Sequence, residues 1–114
     1  MHRRCEIDIQ LKKGLIDVCV LAVLARGDSY GWQIIKDMTG VVEVSESTLY
    51  PVLKRLEASA FVNTYEQPHN GRLRRYYHIT NSGVLRLHEF EREFDGLVKI
   101  FNFVEDSLKK GRDE

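Results

Sequence analysis

The residues of this chain best suited to chemistry are three arginines set among aromatic rings, in the run Gly71-Arg72-Leu73-Arg74-Arg75-Tyr76-Tyr77-His78. Along an extended chain alternate side chains share a face, so Arg72 and Arg74 point one way while Arg75 and Tyr77 point the other. Guanidinium groups at that spacing can follow a phosphate backbone or enter a minor groove. Tyr77, on the opposite face, reads as packing. The plainer alternative is a solvated edge strand whose charges keep it from pairing with other chains. A second group is Ser47, Thr48, Tyr50, Lys54 and Arg55, the outward face of an amphipathic helix. Hydroxyls there suit phosphates or base edges, and Lys54 suits a phosphate. Taken alone, such a face is only solvated. Its place after a short helix and before a basic hairpin makes it a reading helix.

Other chemistry finds no support. His2, His69, His78 and His88 are scattered without metal-ligand spacing. There is no glycine-rich phosphate loop, no HExxH and no nucleophile elbow around a serine. The chain therefore reads as a non-enzyme that requires neither metal nor cofactor. Cys19 lies in the apolar run Val18-Cys19-Val20-Leu21 and reads as a small core residue. Cys5 sits in a polar segment, where a redox role would need an activated thiolate.

Formal net charge is zero, but its distribution is uneven. Residues 1–13 carry +2, from Arg3, Arg4, Lys12 and Lys13 against Glu6 and Asp8. Residues 65–80 also carry +2, and residues 81–114 carry −2. A neutral total thus conceals two basic segments, one of them the arginine run. With 114 residues, 43% of them hydrophobic and 30% charged, the chain reads as one folded domain. No apolar run approaches the roughly 20 residues of a membrane span. No signal core follows the basic start. A cytoplasmic protein is expected.

The elements that position these groups follow one another closely. Residues 11–26 are apolar on nearly every side, the pattern of a central core helix. Tyr30-Gly31-Trp32 opens a shorter helix to about Thr39, with Ile34, Ile35 and Met38 inward, and Gly40 stops it. Val41–Val44 reads as a short β-like run. Ser45 is then the expected N-cap, its hydroxyl accepting from a backbone N–H of the next turn. The third helix runs from Glu46 to about Ser59 with Leu49, Val52, Leu53 and Leu56 inward. Pro51 falls in its second turn, so an irregular first turn is expected. Residues 61–67 and 72–79 are β-rich, and Pro68-His69-Asn70-Gly71 joins them as a hairpin.

Thr80 is the expected N-cap of a last helix of about 27 residues, roughly 40 Å long. Leu87, Phe90, Phe94, Leu97, Phe101, Val104 and Leu108 recur in it at alternating steps of three and four. That is a heptad seam, narrower than the stripe of a helix covering its own core. The rest of the chain is too small to bury it, so pairing with a second copy is expected, with two-fold symmetry. The fold class that follows is mainly α with a small β-hairpin. A winged helix-turn-helix occupies residues 1–80, and a dimerisation helix follows over 81–114.

Several of these segments resemble one family. Ser45-Glu46-Ser47-Thr48-Leu49-Tyr50-Pro51-Val52-Leu53-Lys54-Arg55-Leu56-Glu57 is similar to the recognition helix of PadR-type regulators, which often reads GTLYPxLxRLE. Tyr30-Gly31-Trp32-Gln33-Ile34-Ile35 resembles their HGYEI segment, and Arg72 to Gly83 their wing, ending RKYYxLTxxG. Gly14-Leu15-Ile16-Asp17 matches the opening of their first helix. The likeness covers roughly residues 10–85; Ser47 stands where the family often has glycine, and Trp32 where it often has tyrosine.

The resemblance implies a homodimeric regulator of transcription, usually a repressor, that a small aromatic or amphipathic effector releases from DNA. It also implies that Phe94, with Phe90 and Phe101 beside it, could line an effector pocket at the dimer centre; plain seam packing is the alternative. The expected partners are double-stranded DNA and a second copy of the chain. The expected DNA-contacting residues are Ser47, Thr48, Tyr50, Lys54, Arg55, Arg72, Arg74 and Arg75. A reading from another class is a winged helix used as a protein-interaction or ligand-binding module without DNA contact, which zero net charge and Glu46 beside the reading helix would favour.

Overall fold

Buried apolar spacing sets the architecture. A computed structural model describes residues 9–111; Cys5, Arg3 and Arg4 lie outside them. The element order is α1 (Ile9–Ala25), α2 (Gly31–Met38), α3 (Glu46–Ala58), β1 (Val62–His69), β2 (Arg72–Ile79) and α4 (Asn81–Lys110). The molecule is mainly α with one antiparallel hairpin, and its longest axis is 70 Å. No described helix is long and apolar enough to cross a membrane.

Val20, Leu21 and Leu24 of α1 are almost fully buried, against Ile34 and Met38 of α2 and Leu49, Leu53 and Leu56 of α3. Val62 and Tyr77 close this core from the hairpin. Cys19 packs at its margin, and burial pushes its thiol up, away from a reactive thiolate.

Three local expectations are corrected. Val41–Val44 forms no strand: the N–H groups of Val41 and Val42 turn back to the Met38 carbonyl, and Val41 faces solvent. β-branched residues there meet no strand to pair with. Ser45 is the N-cap by position, but its hydroxyl caps no N–H; it bonds the Ser47 and Thr48 hydroxyls at 3.0 and 3.4 Å instead. The hairpin loop is only Asn70-Gly71, because Pro68 and His69 extend β1. Asn70 (φ 52°) and Gly71 (φ 78°) supply the positive dihedrals that a tight two-residue turn needs. Pro68 is tolerated because β1 is an edge strand.

Pro51 does not break α3. The Ser45 carbonyl accepts from both Thr48 and Leu49, at 3.1 and 2.9 Å, and the helix then continues through the proline. At the other end Phe61 N–H reaches the Leu56 carbonyl and Ala60 N–H the Glu57 carbonyl. This Schellman closure holds Ala60 at φ 65°. Thr80 caps α4, its hydroxyl accepting from Gly83 N–H at 3.1 Å and donating to the Ala60 carbonyl at 2.7 Å. Gly83 is buried directly against the Phe61 carbonyl. These contacts lock the start of α4 onto the body. Helix α4 runs for 30 residues, about 45 Å, packing on the body through Leu87 and extending outward beyond it.

Candidate nucleic-acid interface

The arginine-bearing hairpin and the outer face of α3 flank a cavity of about 270 Å³ lined by Tyr30, Gly31, Trp32, Tyr50, Arg74, Arg75 and Tyr77. Two strands alone make a weak platform. Here Ser29 and Tyr77 exchange backbone hydrogen bonds (2.8 and 3.2 Å), so the α1–α2 loop pairs with β2 like the stump of a third strand. Tyr77 is buried in the core, as its position opposite Arg72 and Arg74 requires, and burial pushes its phenol up while Arg75 pulls it down.

The other hairpin face carries Arg72 and Arg74, two of the candidate contact residues. Arg72, Arg74, Tyr76 and His78 alternate along β2, and the register sets Tyr65 opposite Tyr76 and Gln67 opposite Arg74. Arg74 lays its guanidinium over the Tyr30 ring, 3.9 Å from the centroid. Stacking leaves the guanidinium's edge N–H groups free for an anion. Arg72, at the turn, is exposed, and so is Arg75.

On α3, Ser47, Thr48, Tyr50 and Lys54 are exposed, and Ser47 and Thr48 share a hydroxyl cluster with Ser45 at the start of the helix. With Ser45 turned away, no side chain caps this end, where N–H groups and the helix dipole favour a phosphate. Arg55 differs: its Nη2 meets Asp17 of α1 at 2.6 Å. Its charge is already paired within the chain. Trp32 stands exposed on α2 with the Lys36 ammonium 4.8 Å over its ring.

Sequence reasoning gave no part in supporting the wing to Asp28, Tyr30, Tyr65 or Tyr76, which form one chain of contacts around it. Tyr65 donates to Asp28 Oδ2 at 2.6 Å, and His78 Nδ1 lies 2.8 Å from Asp28 Oδ1. The Tyr65 hydroxyl, then His78, hold the Asp28 carboxyl below its ordinary range, and Asp28 in turn raises the Tyr65 phenol. Counting outward from Asn70-Gly71 would have set Tyr65 against Tyr76. Nothing in the spacing marks Asp28.

Along α4, Leu87 packs against the chain's own core and Phe90 is half-buried, its ring stacked 5.9 Å from Phe94. The rest of the seam is open: Phe94 is 48% exposed, Leu97 52%, Phe101 59%, Val104 47% and Leu108 77%. Phe94, Leu97, Val98 and Phe101 line an apolar groove of about 320 Å³.

Comparison with known proteins shows the family to which this fold belongs. The model of the transcriptional regulator PadR-like family matches residues 20–89, more than half of the chain. A PadR family transcription regulator from Clostridium difficile R20291 is 31% identical, covering 80% of this chain and 98% of that one, with a TM-score of 0.74. A Streptococcus mutans UA159 protein of solved structure is 33% identical over all of this chain and 98% of its own, with a TM-score of 0.70. A transcriptional regulator from Clostridium thermocellum is 29% identical, covering 85% and 96%, with a TM-score of 0.73. The chain is a winged-helix member of the PadR-like family, whose proteins are transcriptional regulators and not enzymes.

Proposed function

We propose that the chain works in the cytoplasm as a homodimeric repressor that binds an inverted-repeat operator. In this reading the start of α3 enters the major groove, with Ser47, Thr48 and Tyr50 toward bases or phosphates and Lys54 toward a phosphate. Arg72, Arg74 and Arg75 of the wing meet the backbone or minor groove beside it. Arg55 was expected to join them; its pairing with Asp17 makes it the weakest member of the set.

The observation that carries the reading is the cleft that Tyr50 of α3 shares with Arg74 and Arg75 of the wing, beside the exposed and uncapped start of α3. The dimer is supported by the open seam from Phe94 to Leu108. Burying one such side chain stabilises by roughly 1.5–3 kcal/mol, so five on each of two helices supply a strong drive to pair. Pairing would enclose the groove at Phe94 and Phe101, which with Phe90 would form the seat for a small aromatic or amphipathic effector. Residues 1–80 would then read DNA and residues 81–114 hold the dimer.

Titrating duplex DNA from upstream of the chain's own gene at several salt concentrations tests this. Each phosphate neutralised contributes about 0.9 to the slope of log affinity against log salt, so a dimer using several cations gives a steep fall. A flat response, or a dimer with no affinity for duplex DNA, refutes the reading and favours the protein-interaction alternative.

A further inference from the structure

We propose that Asp28 is a positioning residue for the wing: it clamps the hairpin to the corner between α1 and α2 and thereby sets where Arg74 meets DNA. This rests on the DNA-binding reading above.

One carboxylate holds both strands. Oδ2 takes the hydroxyl of Tyr65 on β1 at 2.6 Å, and Oδ1 faces Nδ1 of His78 on β2 at 2.8 Å. From Tyr65 the contacts run toward the tip. Tyr65 stacks on its cross-strand partner Tyr76, with centroids 5.5 Å apart and planes 13° apart. Tyr76 meets Tyr30 edge-on at 5.6 Å and 74°. Arg74 rests on the far partner of that pair, Tyr30. Asp28 and Tyr30 flank Ser29, whose backbone pairs with Tyr77, so loop and wing are joined by main chain and side chains alike.

Exposure separates positioning from folding. Asp28, Tyr65 and His78 are all exposed, whereas the opposite hairpin face holds the fold through Val62 and buried Tyr77. Exposed hydrogen bonds and ion pairs contribute little to global stability. Two charge-assisted contacts to one carboxylate, one from each strand, do restrict the angle of a two-stranded ribbon. That angle determines whether the Arg74 guanidinium, already oriented by Tyr30, reaches a phosphate.

The test compares wild type, Asp28→Asn, Tyr65→Phe, Arg74→Ala and the Asp28→Asn/Arg74→Ala double variant, as full-length dimers. Fluorescence anisotropy on the upstream duplex gives affinity, and thermal melting at fixed concentration gives stability. Asp28→Asn removes the charge and Tyr65→Phe only the hydroxyl. Each is expected to weaken binding by roughly five- to tenfold, the weight of one charge-assisted hydrogen bond, while melting like wild type. In the Arg74→Ala background Asp28→Asn should cost less than about twofold more, because coupled residues are not additive. Losses that multiply, or an Asp28→Asn and a Tyr65→Phe that bind as wild type does, overturn the clamp alone. A wild type that does not bind duplex DNA overturns the DNA reading and the clamp with it.

Discussion

Replacing Gly83 by alanine sets two effects of opposite sign against each other. Gly83 is the third residue of α4, and in an open helix alanine there would stabilise by about 1 kcal/mol. Here an added Cβ would lie 2.6 Å from Ile79 Cγ1 and overlap the Phe61 carbonyl oxygen. That oxygen also accepts the Thr80 N–H at 3.0 Å, so it cannot turn aside without breaking the α3–β1–α4 junction. Overpacking of this kind costs about 1–3 kcal/mol, and the obstacle is backbone and not a mobile side chain. A fixed backbone obstacle puts the cost in the upper part of that range, about 2–3 kcal/mol, so the clash wins by about 1–2 kcal/mol net. The melting temperature should drop by roughly 4–8 °C per kcal/mol for a domain of this size. Urea and thermal denaturation at one fixed protein concentration measure it, since self-association couples stability to concentration. A variant as stable as wild type, or more so, refutes the packing described at this junction.

The converse change at Ala60 should stabilise. Its left-handed backbone costs roughly 1–2 kcal/mol for an L-residue, and the looser unfolded chain of glycine returns about 0.4–1 of that, so Ala60→Gly should gain about 0.5–1 kcal/mol in the same denaturation assay. Gly31→Ala meets a different obstacle, the exposed and mobile end of the Tyr50 side chain, which can swing away. Melting should change little while DNA affinity falls by roughly two- to tenfold, one hydrogen bond's worth, as read by anisotropy. The wing clamp should also respond to pH at both extremes. Asp28 titrates lower when folded, so its contribution is complete above the unfolded value near 4 and disappears as pH falls through the native one. Tyr65 titrates higher when folded, so its contribution holds below about 10 and disappears as pH rises through the native value. Hydrogen exchange of the hairpin amides against pH should show faster opening at both ends, and Tyr65→Phe should reduce the alkaline change to the part that buried Tyr77 contributes.

Local pattern carried most of the fold. A run apolar on nearly every side placed α1, spacing of three and four placed α2 and α3, Asn70-Gly71 placed the turn, and the Thr80 cap and the family wing pattern placed the start of α4. What stayed illegible depends on contacts between distant segments. Arg55 looked like any cation on an outward face until α1 brought Asp17 within 2.6 Å. Val41–Val44 has β-forming residues but no neighbour to pair with. Leu87 fits the heptad as well as Leu97 does, yet only the packing of α4 on the body decides that Leu87 serves the chain's own core. Asp28 lies in a loop with no periodicity, so its two partners appear only once the hairpin folds over it. The outward face of α3 and the arginine edge of the hairpin were legible because charge and alternation are local properties.

Hydroxyl-radical footprinting of the dimer on DNA upstream of its own gene tests the central claim most directly. Two reading heads related by a two-fold axis should protect two patches with centres about 10–10.5 base pairs apart, or a multiple of that, in an inverted repeat. Thr48→Ala should change which sequences are protected, and Arg74→Ala should weaken protection across all of them. A single patch without symmetry, or protection that both variants leave intact, would contradict the account.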